Sequence, residues 1–335
     1  MRTGRHLRRR GEGVAPVGDA SLEAEAVLNS PAITVAICTW NRAKLLEQTL
    51  ARLAETTAAG DVPWELIVVN NNCTDETDAV IAKHAGTLPL VRLFEPKPGL
   101  SNARNCATAA ARGEVIVWTD DDVLVEPGWL AAYAAAAARW PEAVFFGGRI
   151  TPWYEREPPD WIARHLKRFE GMLVVRDLGT DERRLQPGEY PYGANMAFRT
   201  AALRGLQFNP ALGKTKDVCL LAEETELFRR FDAEGRYGVW VPSASVRHYV
   251  TAARLTRAYA WSYFHGLGRT SVRTGEMRSG AGRRLWGAPR WLYRRYWRDR
   301  ATAVVRRITG RDWVEPYLSA ATWAGVIHET RLSGV

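Results

Sequence analysis

Long apolar runs are missing from this 335-residue chain: no stretch of about 18 uncharged apolar residues offers a membrane-spanning helix. Cysteine is scarce. The four present, Cys38, Cys73, Cys106 and Cys219, show no CxxC spacing, which argues against a disulfide framework or a zinc-thiolate site and fits a reducing, cytoplasmic setting. Glycine-rich phosphate loops are also lacking. No GxGxxG follows the first predicted strand and no GxxxxGK[ST] occurs, so dinucleotide-binding and P-loop readings lose their main warrant. Residues 1–20 carry Arg2, Arg5, Arg8, Arg9 and Arg10 with no apolar run behind them. A disordered basic arm over 1–31 is expected there, not a secretory signal.

What is present is globular in character. A hydrophobic content of 46% can bury a large core, and the net charge of +9, almost wholly from arginine, is concentrated at the two ends. That bias points either to an anionic partner or to an arginine-rich coding background. From Ile33 onward short apolar runs alternate with helical segments, the signature of βαβ units and a mostly parallel sheet. Strands are predicted at Ile33–Cys38, Glu65–Val69, Leu90–Phe94, Glu114–Trp118 and Ala143–Ile150. Helices are predicted at Ala43–Glu55, Asp75–Ala85, Ser101–Ala111 and Pro127–Arg139. Less regular, strand-rich sequence then runs to Val250, interrupted by a helix over Glu223–Ala233. No internal repeat is visible.

In such sheets ligands bind beyond the carboxyl ends of the strands. The rule gathers Thr39–Arg42, Asn70–Asp75, Lys97–Arg104 and Asp120–Asp122 into one crevice. The last of these is the most telling. Three carboxylates at a strand end raise one another's pKa unless something positive lies between them. Hard oxygen ligands in that arrangement suit Mg²⁺ or Mn²⁺, and a solvated helix-capping turn is the alternative.

Five segments in order, Ile33–Arg42 (ITVAICTWNR), Val68–Thr77 (VVNNNCTDET), Gly99–Asn105 (GLSNARN), Gly113–Asp122 (GEVIVWTDDD) and Glu223–Leu227 (EETEL), resemble the motifs of family-two inverting glycosyltransferases with the GT-A fold. The resemblance covers roughly residues 32–270. It implies a Rossmann-like sheet flanked by helices over 32–272, with a nucleotide half at about 32–125 and an acceptor half at about 126–272. It also implies that Thr39, Asn41, Arg42, Asn70, Asn71 and Asp75 hold the nucleobase and ribose and that Arg104 lies near base or phosphate. The run Asn70-Asn71-Asn72 stands where that family usually places one or two Asp, which leaves base identity open. Asp120 and Asp121 would face the nucleotide. Asp122, with Asp120 and His248, would bind a metal bridging the diphosphate; an ordinary structural histidine is the other reading of His248.

The pair Glu223-Glu224 matches the family's Glu-Asp motif, with Glu224 where the catalytic base stands and Glu223 beside it. Gly193 and Asn195, in Tyr192–Arg199, would lie beside donor sugar and acceptor, with Glu226 nearby. The aromatic, proline-rich stretch Pro152–Tyr154 and Pro158–Trp161 reads as an acceptor platform or as loop packing.

Between Arg283 and Arg311 lie ten arginines and one acid, Asp299, interleaved with Trp286, Trp291, Tyr293, Tyr296 and Trp297. Tyr293, Trp297, Ala301, Val304 or Val305, and Ile308 recur at helical spacing, so a basic amphipathic helical extension is expected over 273–335. Its apolar face suits an anionic membrane surface or packing on the catalytic domain; nucleic acid is not expected.

The resulting expectation is an enzyme that transfers a sugar, with inversion, from a nucleoside diphosphate donor, a UDP-sugar, to a saccharide or lipid-linked acceptor. Its expected place is the cytoplasm, peripheral at the inner face of the cell membrane, in cell-surface polysaccharide synthesis. A metal-dependent nucleotidyltransferase and a non-catalytic basic surface-binding protein are the alternatives.

Overall fold

The central strand β1 (Ile33–Thr39) is apolar along nearly its whole length because helices cover both faces of the sheet it belongs to. Alternate residues serve opposite sides. Ile33, Val35 and Ile37 meet Leu46, Leu50 and Leu53 of helix α1 (Ala43–Thr57), while Ala36 joins Ala103 and Ala107 of helix α3 (Leu100–Ala110). Each such leucine, removed from water, contributes about 1.5–3 kcal/mol. The computed structural model describes residues 31–57, 62–212, 223–277 and 283–333. The basic arm predicted over 1–31, except its last residue, and Cys219 lie outside them.

The sheet also contains β2 (Trp64–Asn70), β3 (Leu90–Phe94), β4 (Val115–Asp120), β5 (Val123–Val125), β6 (Phe145–Tyr154), β7 (Arg183–Arg184), β8 (Asn195–Arg199) and β9 (Gly238–Val250). Its order is β3-β2-β1-β4-β8-β6-β9-β5, with β7 on β9. The β3-β2-β1-β4 half is parallel, and β8 enters antiparallel beside β4. Helix α2 is Thr77–His84, two residues later than expected, because the Asp75 side chain accepts from Thr77 N before the helix begins. Helix α4 is Trp129–Arg139. It starts after Gly128, whose φ of 80° cannot continue a right-handed helix back to Pro127.

Strand β6 runs on through Pro152-Trp153-Tyr154, four residues past its expected end. Proline is tolerated there because β8 pairs only Phe145–Gly147, so the later part of β6 lacks that neighbour and is bonded to β9. Trp153 then packs on Tyr249 at 4.8 Å between ring centres. Helices α5 (Asp160–Ala163) and α6 (Leu166–Leu173) follow, and α7 (Glu223–Ala233) matches its predicted bounds. Trp161 lies against Phe169 and Trp313, so this part of the aromatic stretch is packed into the protein.

After β9 come α8 (Arg257–Arg273), the short hairpin β10 (Arg284–Leu285) and β11 (Ala288–Pro289), α9 (Arg290–Ile308) and α10 (Val314–Ser333). Val314, Leu318 and Ala321 of α10 share a core with Phe169, Val250, Leu255 and Phe264. The extension is thus docked through α10. Helix α9 buries Leu292, Asp299 and Ala303 and leaves Trp297, Val304, Val305 and Ile308 exposed, so the predicted apolar stripe is not the face that packs. Among the described residues no helix is long and apolar enough to cross a membrane.

Candidate functional site

The loops at the carboxyl ends of β1, β2, β3 and β4 converge on a cleft of about 660 Å³. Thr39–Arg42, Asn71, Asn72, Thr74, Pro98–Leu100 and Asp120–Asp122 line it, joined by Val174, His248 and Arg254. Asp120 arrives there because it ends β4 in register with Cys38 of β1. His248 arrives because β5, directly after the acidic turn, pairs antiparallel with β9 and sets Val123 opposite His248.

The acids are held among positive groups. Arg42 Nη1 donates to Asp121 Oδ1 at 3.0 Å and to Asp122 Oδ2 at 2.7 Å, and Thr39 Oγ1 donates to Asp121 Oδ2 at 2.8 Å. Burial would lower the Arg42 pKa, but the two carboxylates outweigh it and hold it raised. Burial pushes the Asp121 carboxyl well above its usual range even against Arg42. Arg254 Nη2 lies 3.6 Å from Asp122, and Arg254 Nη1 lies 3.2 Å from His248 Nε2. Asp120, Asp122 and His248 each present a ligand atom within 4.8 Å of the others. Two carboxylates and an imidazole form a donor set that Mg²⁺ or Mn²⁺ accepts, so the residues present fit a divalent ion.

A second charged group lies buried among residues that do not line the cleft. Arg104 on α3 is 3% exposed and donates from Nη1 to Glu223 Oε1 at 2.8 Å, with Glu224 Oε2 at 3.5 Å. Its guanidinium also covers Trp118 and Phe208. One arginine balances one of the two carboxylates, so burial, together with the Glu224 charge, pushes the Glu223 carboxyl up. Glu224 Oε2 is buried and accepts no hydrogen bond among the described residues. A carboxylate oxygen left this way has a lone pair free to accept a hydrogen bond or a proton. The field of Asp120 also reaches Arg104, which couples this group electrostatically to the acidic turn.

Residues 34–206 match the sequence model of glycosyl transferase family 2. The chain belongs to that family. A curated relative, the glucosyl-dolichyl phosphate glucuronosyltransferase of Haloferax volcanii, is 25% identical over 64% of this chain and 68% of its own length. The N-acetylglucosaminyl-diphospho-decaprenol L-rhamnosyltransferase of Mycobacterium tuberculosis is 28% identical over 65% and 76%. Among solved structures, the mannosyltransferase PcManGT of Pyrobaculum calidifontis, in complex with GDP-Man and Mn²⁺, superposes with a TM-score of 0.51. That likeness, at 20% identity over 89% of this chain and 74% of the other, shows the fold. Membership makes this chain an inverting glycosyltransferase with the GT-A fold and sets aside nucleotidyl transfer.

Within this family 2 enzyme the expected site residues divide into two groups. Thr39, Asn41, Arg42, Asp120, Asp121, Asp122 and His248 meet in the cleft. Asn41, at φ 53°, accepts from Thr74 N and so ties the first loop to the second. Asn71 also lines the cleft but, like Asn70 and Asp75, spends its polar groups on the protein. Asn70 donates to Asp78 and accepts from Cys73 N; Asn71 donates to the carbonyls of Glu95 and Lys97 and accepts from Gly99 N. Asp75 accepts from Ala43 N and Thr77 N, capping α1 and α2 at once.

Asn195, expected beside a sugar, is fully buried. Its Oδ1 accepts from Trp129 and Tyr133, and its Nδ2 donates to the carbonyls of Arg149 and Ala244. No bonding capacity remains for a hydroxyl. Arg104, expected near base or phosphate, holds the glutamate pair instead. Glu226 is exposed and accepts from Asn209.

Gly193 has a packing reason. A β-carbon there would collide with Arg104 Nη2. Gly193→Ala is therefore expected to cost about 1–3 kcal/mol, read as a lower urea midpoint, by displacing the guanidinium from its buried place. Unchanged stability would show that Arg104 has room to move.

Sequence reasoning missed Val174 and Arg254, and it brought Trp40 to the crevice within Thr39–Arg42 without giving it a role. Trp40 is 45% exposed and lines the cleft. Val174 caps α6 in the left-handed region at φ 55°, a strained place for a β-branched residue. Arg254 stands six residues beyond His248 in a 3₁₀ turn, and its basic character directly after a strand ending near the acids was the available signal.

Proposed function

We propose that the cleft binds a nucleoside diphosphate sugar, a UDP-sugar, and that the enzyme passes the sugar with inversion to a saccharide or lipid-linked acceptor in cell-surface polysaccharide synthesis. The observation that carries this is the meeting of Asp120, Asp122 and His248 inside a cleft walled by four strand-end loops. Relatives that act, by their names, on dolichyl-phosphate and decaprenol-linked substrates support the acceptor class.

In this reading Thr39, Asn41 and Arg42 surround the nucleoside, and exposed Trp40 offers its face to the base. Asn70, Asn71 and Asp75 act by fixing the loops that form that surface. Asp120, Asp122 and His248 would hold Mg²⁺ or Mn²⁺, which when bound offsets the charge growing on the departing diphosphate. Arg42 and Arg254, aimed at the same carboxylate, keep the acidic turn compact before the donor arrives. Glu224 accepts the acceptor hydroxyl's proton as oxygen attacks the anomeric carbon opposite the leaving group. Glu223 and Arg104 hold Glu224 in place, Gly193 leaves Arg104 its space, and Glu226 stands on the same helical turn toward the acceptor.

The enzyme works as a peripheral protein at the inner membrane face, where a lipid-linked acceptor is presented. Calorimetric titration with UDP, GDP and their common sugar conjugates tests the donor assignment. Binding of UDP compounds that requires Mn²⁺ and disappears with excess chelator is expected. A folded protein that binds none of them would overturn the reading.

A further inference from the structure

Three arginines converge on a hollow of about 160 Å³ on the side of the helical extension. Arg257 opens α8, while Arg300 and Arg307 sit two turns apart on α9; Trp313, just before α10, and Tyr317 of α10 complete the walls. Arg300 lies over the ring of Trp261 at 4.9 Å and Arg307 over Trp313 at 5.8 Å, so both guanidinium groups are held over aromatic rings. Neighbouring acids are engaged elsewhere: Asp299 with Arg298, Asp312 with His165, and Glu315 with Arg168. None of the three arginines has an ion-pair partner among the described residues. Burial raises the Tyr317 hydroxyl pKa, and the charges of all three arginines act to lower it.

The hollow borders an apolar surface. Val304 lines it, and helical spacing puts Trp297, Val304 and Ile308 on one face of α9. They are 61%, 51% and 80% exposed, with Val305 beside them, while α9 packs through Leu292, Asp299 and Ala303. Aliphatic groups next to unpaired arginines suit a ligand with an anionic head and an apolar body. Nucleic acid offers the charge but no partner for valine and isoleucine.

We propose that this face docks the enzyme on an anionic membrane, with a phospholipid phosphate seated between Arg257, Arg300 and Arg307 and the Trp297–Ile308 stripe among the acyl chains. The proposal rests on the reading of the chain as a peripheral membrane glycosyltransferase and names the surface that makes the contact. Two weak signals together, a basic patch and an apolar stripe, suffice for stable attachment where one does not.

Co-sedimentation of the full chain with vesicles tests it, using phosphatidylcholine alone and equal parts of phosphatidylcholine and phosphatidylglycerol. Wild-type protein is expected to pellet only with the anionic vesicles. Each arginine at such a surface is worth roughly a fivefold gain in partition, so the triple variant R257Q/R300Q/R307Q is expected to lose about 100-fold. V304S/I308S, altered at exposed positions alone, is expected to weaken attachment while keeping the arginines.

Both variants are expected to bind UDP with Mn²⁺ as wild type does, which separates failure of this proposal from failure of the donor reading. Equal pelleting of wild type and triple variant, or equal pelleting with both vesicle types, would overturn it. So would a folded wild-type protein that ignores vesicles yet is stabilised by inorganic phosphate through the three arginines, since the hollow would then serve a soluble anion.

Discussion

Asp122→Ala is expected to lower UDP affinity by about 100-fold or more and to leave what binding remains indifferent to chelator. Asp122 is the point where the site's charges meet: Arg42 at 2.7 Å, His248 at 3.5 Å and Arg254 at 3.6 Å. Removing a group that merely orients a metal ligand typically costs 10–100-fold in affinity, so removing a ligand itself belongs at or beyond the top of that range. Alanine would also leave Arg42 and Arg254 without their shared carboxylate, so two cations would face the diphosphate directly. Calorimetry with Mn²⁺ distinguishes the outcomes. Wild-type affinity in the variant would remove the metal from the assigned place, whereas weak, metal-independent binding would show the arginines acting alone.

Glu224→Gln is the second large effect. The amide has nearly the shape of the carboxylate and keeps an oxygen toward Arg104, so the buried group should hold together. It cannot accept a proton at neutral pH. General base catalysis is typically worth 10²–10⁴-fold, so turnover is expected to fall by about 1,000-fold with donor affinity unchanged. Glu223→Gln is expected to retain more activity, because Glu223 is the partner that Arg104 holds at 2.8 Å, while Glu224 keeps an oxygen without a hydrogen bond. A Glu224→Gln enzyme that transfers at the wild-type rate would assign the base to Glu223, Glu226 or another group.

The sheet and its cleft were legible because their signals are periodic and local. Alternating apolar residues in β1 and leucines at 46, 50 and 53 specify a strand and a helix that must meet. Polar residues at four successive strand ends then specify a shared crevice. The start of α7 was legible from its acidic first turn. The insertion of β8 between β4 and β6 was not, because strand order is a long-range property with no local mark.

Side-chain assignments failed where a polar residue serves equally well inside a loop or toward a ligand. Asn71 bonding three backbone groups looks in sequence like an Asn awaiting a base, and Asn195 looks like a sugar ligand until its four partners are seen. The resemblance implies that Arg104 lies near base or phosphate, yet its side chain turns to a carboxylate pair 119 residues away in the chain. The stripe on α9 was found by spacing, but spacing does not say which face packs. That was decided by Asp299, which accepts from Ser319 and Trp323 of α10 and so draws the polar side of the helix inward.

The most direct test of the account is electron paramagnetic resonance of Mn²⁺ titrated into the protein in the presence of UDP. The free-ion signal is expected to be lost with the wild-type chain and to persist with Asp122→Ala and with His248→Ala. A signal that persists with folded wild-type protein, or that disappears equally with both variants, would contradict the placement of the metal and diphosphate between β4 and β9.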